Sequence, residues 1–448
     1  MMRFFSFTLA LVFMTSISAE AAETQDLSQI YQEALSKDPV LAAARNSNRA
    51  MQEKLVQGQA QYLPTITFNA GATASRTDIK YIGSASIFRN GGRENFEGYS
   101  YGVNLNQPIF RQQIRAQLEQ AKSQVAQADK QLVLAQQNLI IRSSKAYFDV
   151  LLAQDKVALI RAQKEAVDKQ KQQAQANFEV GTATITDVNE AQARFDLIQA
   201  QEIAALSDLE VKKRGVQSII GHMPAELKSV RTDLQPQMPE PMVMEDWVNM
   251  ALQNNLSIAI QQQALDIATQ EVERQNAGHM PTLDAVASYT DRYANGSANG
   301  FGSDLQDATI GLQLQVPLYQ GGAVSSKVRE AVANKDKAAD DLEAIRRQAE
   351  LDARQAYLNL VTAVSQVKAY EQALNSSQSQ LDSTNLGYEV GVRNSVEVLN
   401  AQQQFFSAKR DLLQAQYAYL LDVLSLKFSV GMLSELDLQN LNLQLVSH

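Results

Sequence analysis

Two short stretches a fixed distance apart constrain this chain more than anything else in it. Phe178-Glu179-Val180-Gly181-Thr182 runs on to Thr186-Asp187-Val188, and Tyr388-Glu389-Val390-Gly391-Val392 runs on to Val396-Glu397-Val398. Gly181 and Gly391 lie 210 residues apart, and so do Asp187 and Glu397. Each copy breaks a long Ala- and Gln-rich helical pattern with a glycine and restarts it with residues that cap helices. Each reads as the tip of a helical hairpin, and the chain as two copies of one unit.

The helices leading to these tips are long. Ile114, Leu118, Ala121, Val125, Ala128, Leu132, Ala135 and Leu139 keep a four-three spacing, resumed after a polar break by Ala146, Val150, Ala153, Val157 and Ile160. That is a heptad seam, and small residues alternating with larger ones let helices approach closely. About seventy such residues reach about 100 Å, longer than a globular core needs. Val188, Ala191, Phe195, Ile198, Ala205 and Leu209 continue the spacing on the way back to Gly221. The second unit repeats this with Val324, Val328, Ala331, Ala338, Leu342, Ile345 and Ala349. Ala356-Tyr357-Leu358 answers Ala146-Tyr147-Phe148, and Gly431 answers Gly221, again 210 residues apart. A constant offset over so long a span means a duplication without internal insertions.

Each unit opens differently. Leu27, Ile30, Tyr31, Ala34 and Leu35 share a helical face, Asp38-Pro39 marks a boundary, and Leu63-Pro64-Thr65 breaks the period. The period then becomes two. Ile66, Phe68, Ala70, Ala72 and Ala74 alternate with polar residues, as do Tyr99, Tyr101, Val103 and Leu105 before Pro108. Two alternating runs of about ten residues around a polar, Gly-rich stretch predict a β-hairpin. The second unit answers with Met280-Pro281-Thr282, then Leu283, Ala285, Ala287 and Tyr289, then Ile310, Leu312, Leu314 and Val316 before Pro317.

Arg3, the apolar run from Phe4 to Ile17 and Ala19-Glu20-Ala21 form a secretory signal with cleavage expected after Ala21. The run is too short to span a bilayer as a helix. Export and tyrosines at one end of the strands favour lipid-facing barrel strands. The chain is acidic, with net charge −9, and has no basic stripe to hold nucleic acid. It has no cysteine, so disulfides, thiolate metal sites and a lipid-anchor acceptor are excluded.

These signals divide the chain into a signal peptide (1–21), a first repeat (22–221), a Pro-rich linker (222–243), a second repeat (244–431) and a tail (432–448). The first repeat holds helices over 24–62, a strand hairpin over 64–108, a long helix over 111–180, a tip over 181–187 and a return helix over 188–220. The second holds the same parts over 244–279, 281–317, 321–390, 391–397 and 398–430. The fold class is an α+β membrane protein. Four strands cannot close a barrel, and open edges are not tolerated in lipid. Two chains would supply eight strands and three would supply twelve.

The signal, the two helix–strand–strand–long helix–tip–helix units, the P-I-F and P-L-Y-Q-G-G exits from the strands, and the Y-E-V-G and T-D-V tips resemble the TolC family of outer-membrane efflux and type I secretion channels. The resemblance covers essentially the whole mature chain. It implies a homotrimer in the outer membrane, extending into the periplasm, with a twelve-stranded barrel continued by a long α-helical coiled-coil barrel. It also implies that the periplasmic end closes like an iris and that a periplasmic adaptor (membrane fusion) protein joins it to an inner-membrane pump of RND or ABC type. Small drugs or unfolded polypeptide would be the cargo.

The same resemblance implies a latch in which Tyr388 and Arg393, on the second tip, bond Asp187 on the first, with Thr186 alongside. Arg393 can make a charge-assisted bond to Asp187, and Tyr388 can donate to the same carboxylate. The local chemistry has its own reading, since Thr184-x-x-Asp187 and Asn394-x-x-Glu397 have the spacing of capping boxes. The implied constriction maps onto Glu397 and Asn400, and the second of these is neutral where the family carries an acid. A ring of one carboxylate per chain still favours cations. Val180, Gly181, Thr182, Val390, Gly391 and Val392 match the adaptor-contacting turns.

His222, His279 and His448 are scattered, and neither a phosphate loop nor a nucleophile elbow is present. No enzyme and no cofactor is expected. An exported periplasmic coiled-coil adaptor or spacer without a pore would account for the heptads but not for the strands. A porin without a pump would not need the helices.

Overall fold

The heptad seams become two helices of nearly equal length in the computed structural model, which describes residues 24–80, 92–231, 234–297 and 301–446. The signal expected over 1–21 lies outside the described residues. The first repeat begins with α1 (Leu27–Lys37) and α2 (Pro39–Ala60), followed by β1 (Thr65–Ile79) and β2 (Gly92–Phe110). The long helix α3 (Gln112–Glu179) has 68 residues and returns as α4 (Ile185–Ile220). A two-residue strand, β3 (Ser229–Val230), lies in the linker. The second repeat comprises α5 (Met244–Asn254), α6 (Leu256–Asn276), β4 (Thr282–Ala294), β5 (Ser303–Gln315), α7 (Ala323–Glu389) and α8 (Ser395–Ser429). The tail adds α9 (Glu435–Asn442) and β6 (Leu445–Val446).

Along most of α3 burial is confined to the seam, at Ile114, Ala121, Ala128, Val157 and Val167. Near its middle the burial broadens to Leu139, Ile140, Tyr147, Phe148, Val150 and Leu151. There α1, α5, α9 and parts of α4, α7 and α8 wrap the rod and form the main hydrophobic core. The expected face of α1 is in it, with Leu27, Ile30, Tyr31 and Ala34 fully buried. The boundary residue Asp38 caps α2 by accepting from the Leu41 N–H, and it accepts from Nη1 and Nη2 of Arg142 at 3.0 and 2.9 Å. A paired, hydrogen-bonded carboxylate can be buried there without being left unsatisfied.

The four long strands form one antiparallel sheet in the order β1-β2-β4-β5. The register aligns Ile66 with Leu105, Phe68 with Val103, Val103 with Tyr289 and Ala287 with Ile310. Cross-strand partners point to the same face, so one face collects the apolar residues. The other collects pairs such as Thr67 with Asn104, Asn104 with Ser288 and Ser288 with Thr309. In a single chain the apolar face is uncovered: Phe68 is 67% exposed and Ile310 87%. Arg111, at the exit from β2, donates from Nε and Nη2 to the buried carboxylate of Asp284 on β4, at 2.8 and 2.6 Å. That ion pair fastens the first repeat's strand-to-helix corner to the second repeat.

Several boundaries differ from the sequence expectation. The strands are 13 to 19 residues long rather than about ten. Arg76 to Ile79 stays paired with Gly92 to Asn95, where Arg93 and Asp78 form an exposed ion pair. Backbone pairing continues past the apolar band, and the alternation signal ends with that band. The return helices begin at Ile185 and Ser395, three residues before the expected 188 and 398, which puts Asp187 and Glu397 in first turns rather than in the tips. The pairing of β3 with β6 and the helix α9 were not expected, because they are too short to show a period.

Candidate functional site

The candidate site is the end of the molecule where the two hairpins turn side by side. Both turns use one backbone device. Gly181 and Gly391 take positive φ values of 79° and 81°, the left-handed conformation that glycine adopts without steric cost. The next amides fold back onto the last helical turn: Thr182 N–H reaches the Asn177 carbonyl and Val392 N–H the Gly387 carbonyl, both at 2.8 Å. Both expected capping boxes form. Thr184 accepts from the Asp187 N–H, while the Asp187 carboxylate accepts from the Thr184 N–H and hydroxyl at 3.0 and 2.8 Å. Asn394 and Glu397 exchange the equivalent bonds at 2.9 Å each.

At the turns themselves, two hydrogen bonds cross from one hairpin to the other. The Ser395 hydroxyl donates to Asp187 Oδ1 at 2.9 Å, and Asn177 Nδ2 donates to the Tyr388 hydroxyl oxygen at 3.1 Å. Asp187 is the acceptor at the junction, but its donor is Ser395 rather than Arg393 or Tyr388. Arg393 turns along its own helix and donates from Nη1 to Glu397 Oε1 at 2.6 Å. An arginine four residues from a glutamate on one helical face has this partner within reach. Thr186 is exposed, and its side chain makes no hydrogen bond among the described residues.

Gly387 is what lets Arg393 lie where it does. It is buried, and a Cβ there would sit 2.6 Å from Arg393 Cγ. The position carries Asn177 in the first repeat, whose side chain reaches Tyr388 instead. Gly387, Asn177 and Ser395 were all missed from sequence, because a glycine, an amide and a serine inside a helix have no local signature. The 210-residue offset was the available signal, since it shows these positions diverging within a duplicated frame.

Electrostatics follow from these bonds. The backbone N–H of Thr184 and then its hydroxyl hold the Asp187 carboxyl below its ordinary value; burial opposes them less strongly, and Ser395 adds a smaller lowering. The N–H of Asn394, then Arg393, do the same for Glu397. Glu397 and Asn400 border one open groove of about 330 Å³ between α7 and α8, together with Arg393, Ser383 and Thr384. The adaptor-matching residues form the extremity: Val180, Val390 and Val392 are 73%, 66% and 74% exposed, and Gly181, Thr182 and Gly391 are exposed beside them. Among the described residues no group of carboxylates and histidines is placed to hold a metal ion. No helix among them is long and apolar enough to cross a membrane.

A barrel segment with one apolar face, continued by two long helical hairpins, defines the class of outer-membrane channel ducts. A family model described as outer membrane efflux protein matches residues 30–222 and 247–432, and the chain belongs to that family. The outer membrane protein TolC of Vibrio cholerae serotype O1 is 33% identical over 426 residues, covering 95% of this chain and 94% of the relative. The alkaline protease secretion protein AprF of Pseudomonas aeruginosa is 31% identical over 414 residues, covering 91% and 85%. The solved structure of the outer membrane protein VceC from Vibrio cholerae shares the fold, with a TM-score of 0.76 and 20% identity, covering 90% of this chain and 96% of that one.

Proposed function

We propose that three copies of this chain form an outer-membrane exit duct that receives cargo from an inner-membrane pump and is gated at the periplasmic tip. The observation that carries this reading is the four-stranded sheet, open at both β1 and β5 among the described residues and continuous with hairpins about 100 Å long. Unpaired edges and an uncovered apolar face are satisfied together when copies join edge to edge in lipid. Three copies give twelve strands, and the polar face lines the lumen. A spacer without a pore leaves that sheet unexplained.

In this reading the latch is the set Asp187, Thr186, Tyr388 and Arg393, with Ser395 and Asn177 supplying the bonds made within one chain. Opening separates the two hairpins and breaks both hydrogen bonds that cross at the turns. Glu397 and Asn400 line the narrowest part of the path. Val180-Gly181-Thr182 and Val390-Gly391-Val392 meet a periplasmic adaptor, which couples the duct to an RND or ABC pump. Small drugs and unfolded polypeptide both fit a duct that performs no chemistry; a relative named for protease secretion supports the polypeptide case. The test is reconstitution of the purified full-length protein in a planar bilayer. The duct reading expects a heat-sensitive oligomer of three chains and discrete conductance steps. A detergent-independent soluble species without conductance contradicts it.

A further inference from the structure

Asn400 is neutral, yet it is not without a charged neighbour. Arg194, on α4 of the first repeat, donates from Nη2 to Asn400 Oδ1 at 2.9 Å and from Nη1 to the Gln403 amide oxygen. Its Nε donates to Glu190 on its own helix at 3.1 Å. The 210-residue offset makes the arrangement legible: Glu190 occupies the position of Asn400, and Gln404 that of Arg194. The first repeat thus carries an acid where the second has an amide, together with a guanidinium that holds both. Arg194 also borders a cavity of about 510 Å³ between α3, α4 and α8, shared with Lys156, Arg410 and Glu190. The cavity is lined mainly by apolar residues, with a net positive charge among its charged ones, and the Asn400 that Arg194 holds borders the groove of Glu397.

We propose that Arg194 is a specificity-determining residue of the constriction, setting its ion preference by bringing first-repeat positive charge against the ring whose acid is Glu397. The inference rests on the reading of Glu397 and Asn400 as the constriction. In each chain Glu190 is matched by Arg194 and Glu397 by Arg393. The ring therefore favours cations much less than three unopposed carboxylates do. A guanidinium suits the task because its planar fork engages two α8 amides and Glu190 at once. A lysine at 194 supplies the charge without the fork.

The experiment is the reversal potential of single channels across a KCl gradient, for the wild type, Arg194→Gln, Arg194→Lys and Glu397→Gln. Each is accepted only as an oligomer that purifies like the wild type. Arg194→Gln removes three positive charges per trimer and leaves Glu190 and Glu397, so its cation preference rises severalfold. Arg194→Lys stays near the wild type, and Glu397→Gln moves the other way. If Glu397→Gln shifts the potential and Arg194→Gln does not, the constriction stands and the role of Arg194 is refuted. If both arginine variants shift alike, the fork's packing rather than its charge is responsible, which also overturns the proposal. If no variant shifts it, the constriction lies elsewhere and both readings fall.

Discussion

The two tips share a backbone and differ at eight of the twelve positions from 177 to 188, four of which bear on what reaches across. The glycine turn and the capping box are common to both, whereas Asn177, Phe178, Ala183 and Ile185 in the first stand where Gly387, Tyr388, Arg393 and Ser395 stand in the second. The shared residues terminate and restart helices. The divergent ones decide what reaches across. The second tip supplies the hydroxyl of Ser395 to the carboxylate of Asp187, and the first supplies the amide of Asn177 to Tyr388. Duplication produced two equal hairpins, and divergence at these positions made one tip the acceptor of the charge-assisted bond and the other its donor.

Making the tips alike again should have the largest effect. Ser395→Ile copies Ile185 into a site where Ser395 is 4% exposed, and it removes the donor to Asp187. A branched apolar side chain there crowds a buried contact and leaves a carboxylate with no partner across the junction. Single-channel conductance should rise severalfold; an unchanged value would show that the hairpins are held elsewhere. Gly387→Asn copies Asn177 and should come second. The new Cβ displaces Arg393 from Glu397 while leaving the Ser395 bond intact, so a smaller rise is expected in the same recording.

The capping residues sharpen the comparison from the other side, because they do the same work in both tips. Thr184→Ala and Asn394→Ala should each cost about 1 kcal/mol, so the first-turn amides of α4 and α8 exchange roughly fivefold faster in hydrogen-exchange measurements. Equal effects are the expectation, and a marked inequality would place one cap in the latch. The smallest effect concerns pH. The Asp187 pKa is lowered in the folded tip. Its stabilising contribution is therefore present above the unfolded value and is lost only as pH falls through the lower, folded one. Conductance should stay flat from neutral pH down to about pH 4 and rise below that. A rise near pH 6 would assign the closed state to a different group.

The sequence made the large architecture legible because long elements carry strong periods. Two heptad seams, four alternating runs and the glycine turns at 181 and 391 needed no tertiary information. The paired ends of the strands near Arg93 and Asp78, the tail helix with Leu438, and the strand pair of Val230 with Leu445 lack that signal. They are set by backbone pairing and by the core around α3. At the tip, Asp187 could be recognised as an acceptor from its motif. Its donor could not, because Ser395 lies 208 residues away and only the packing of one hairpin on the other brings the two together. Arg393 had two carboxylates to choose from. The one four residues along its own helix holds it because Gly387 leaves the space.

The most direct test is a double-mutant cycle on single-channel conductance with the wild type, Asp187→Ala, Ser395→Ala and the double variant in planar bilayers. If these two side chains form one tie between the hairpins, each single variant conducts severalfold more than the wild type and the double variant no more than the larger single. Conductances equal to the wild type, or single effects that multiply in the double variant, would contradict the account of the tip as a paired latch.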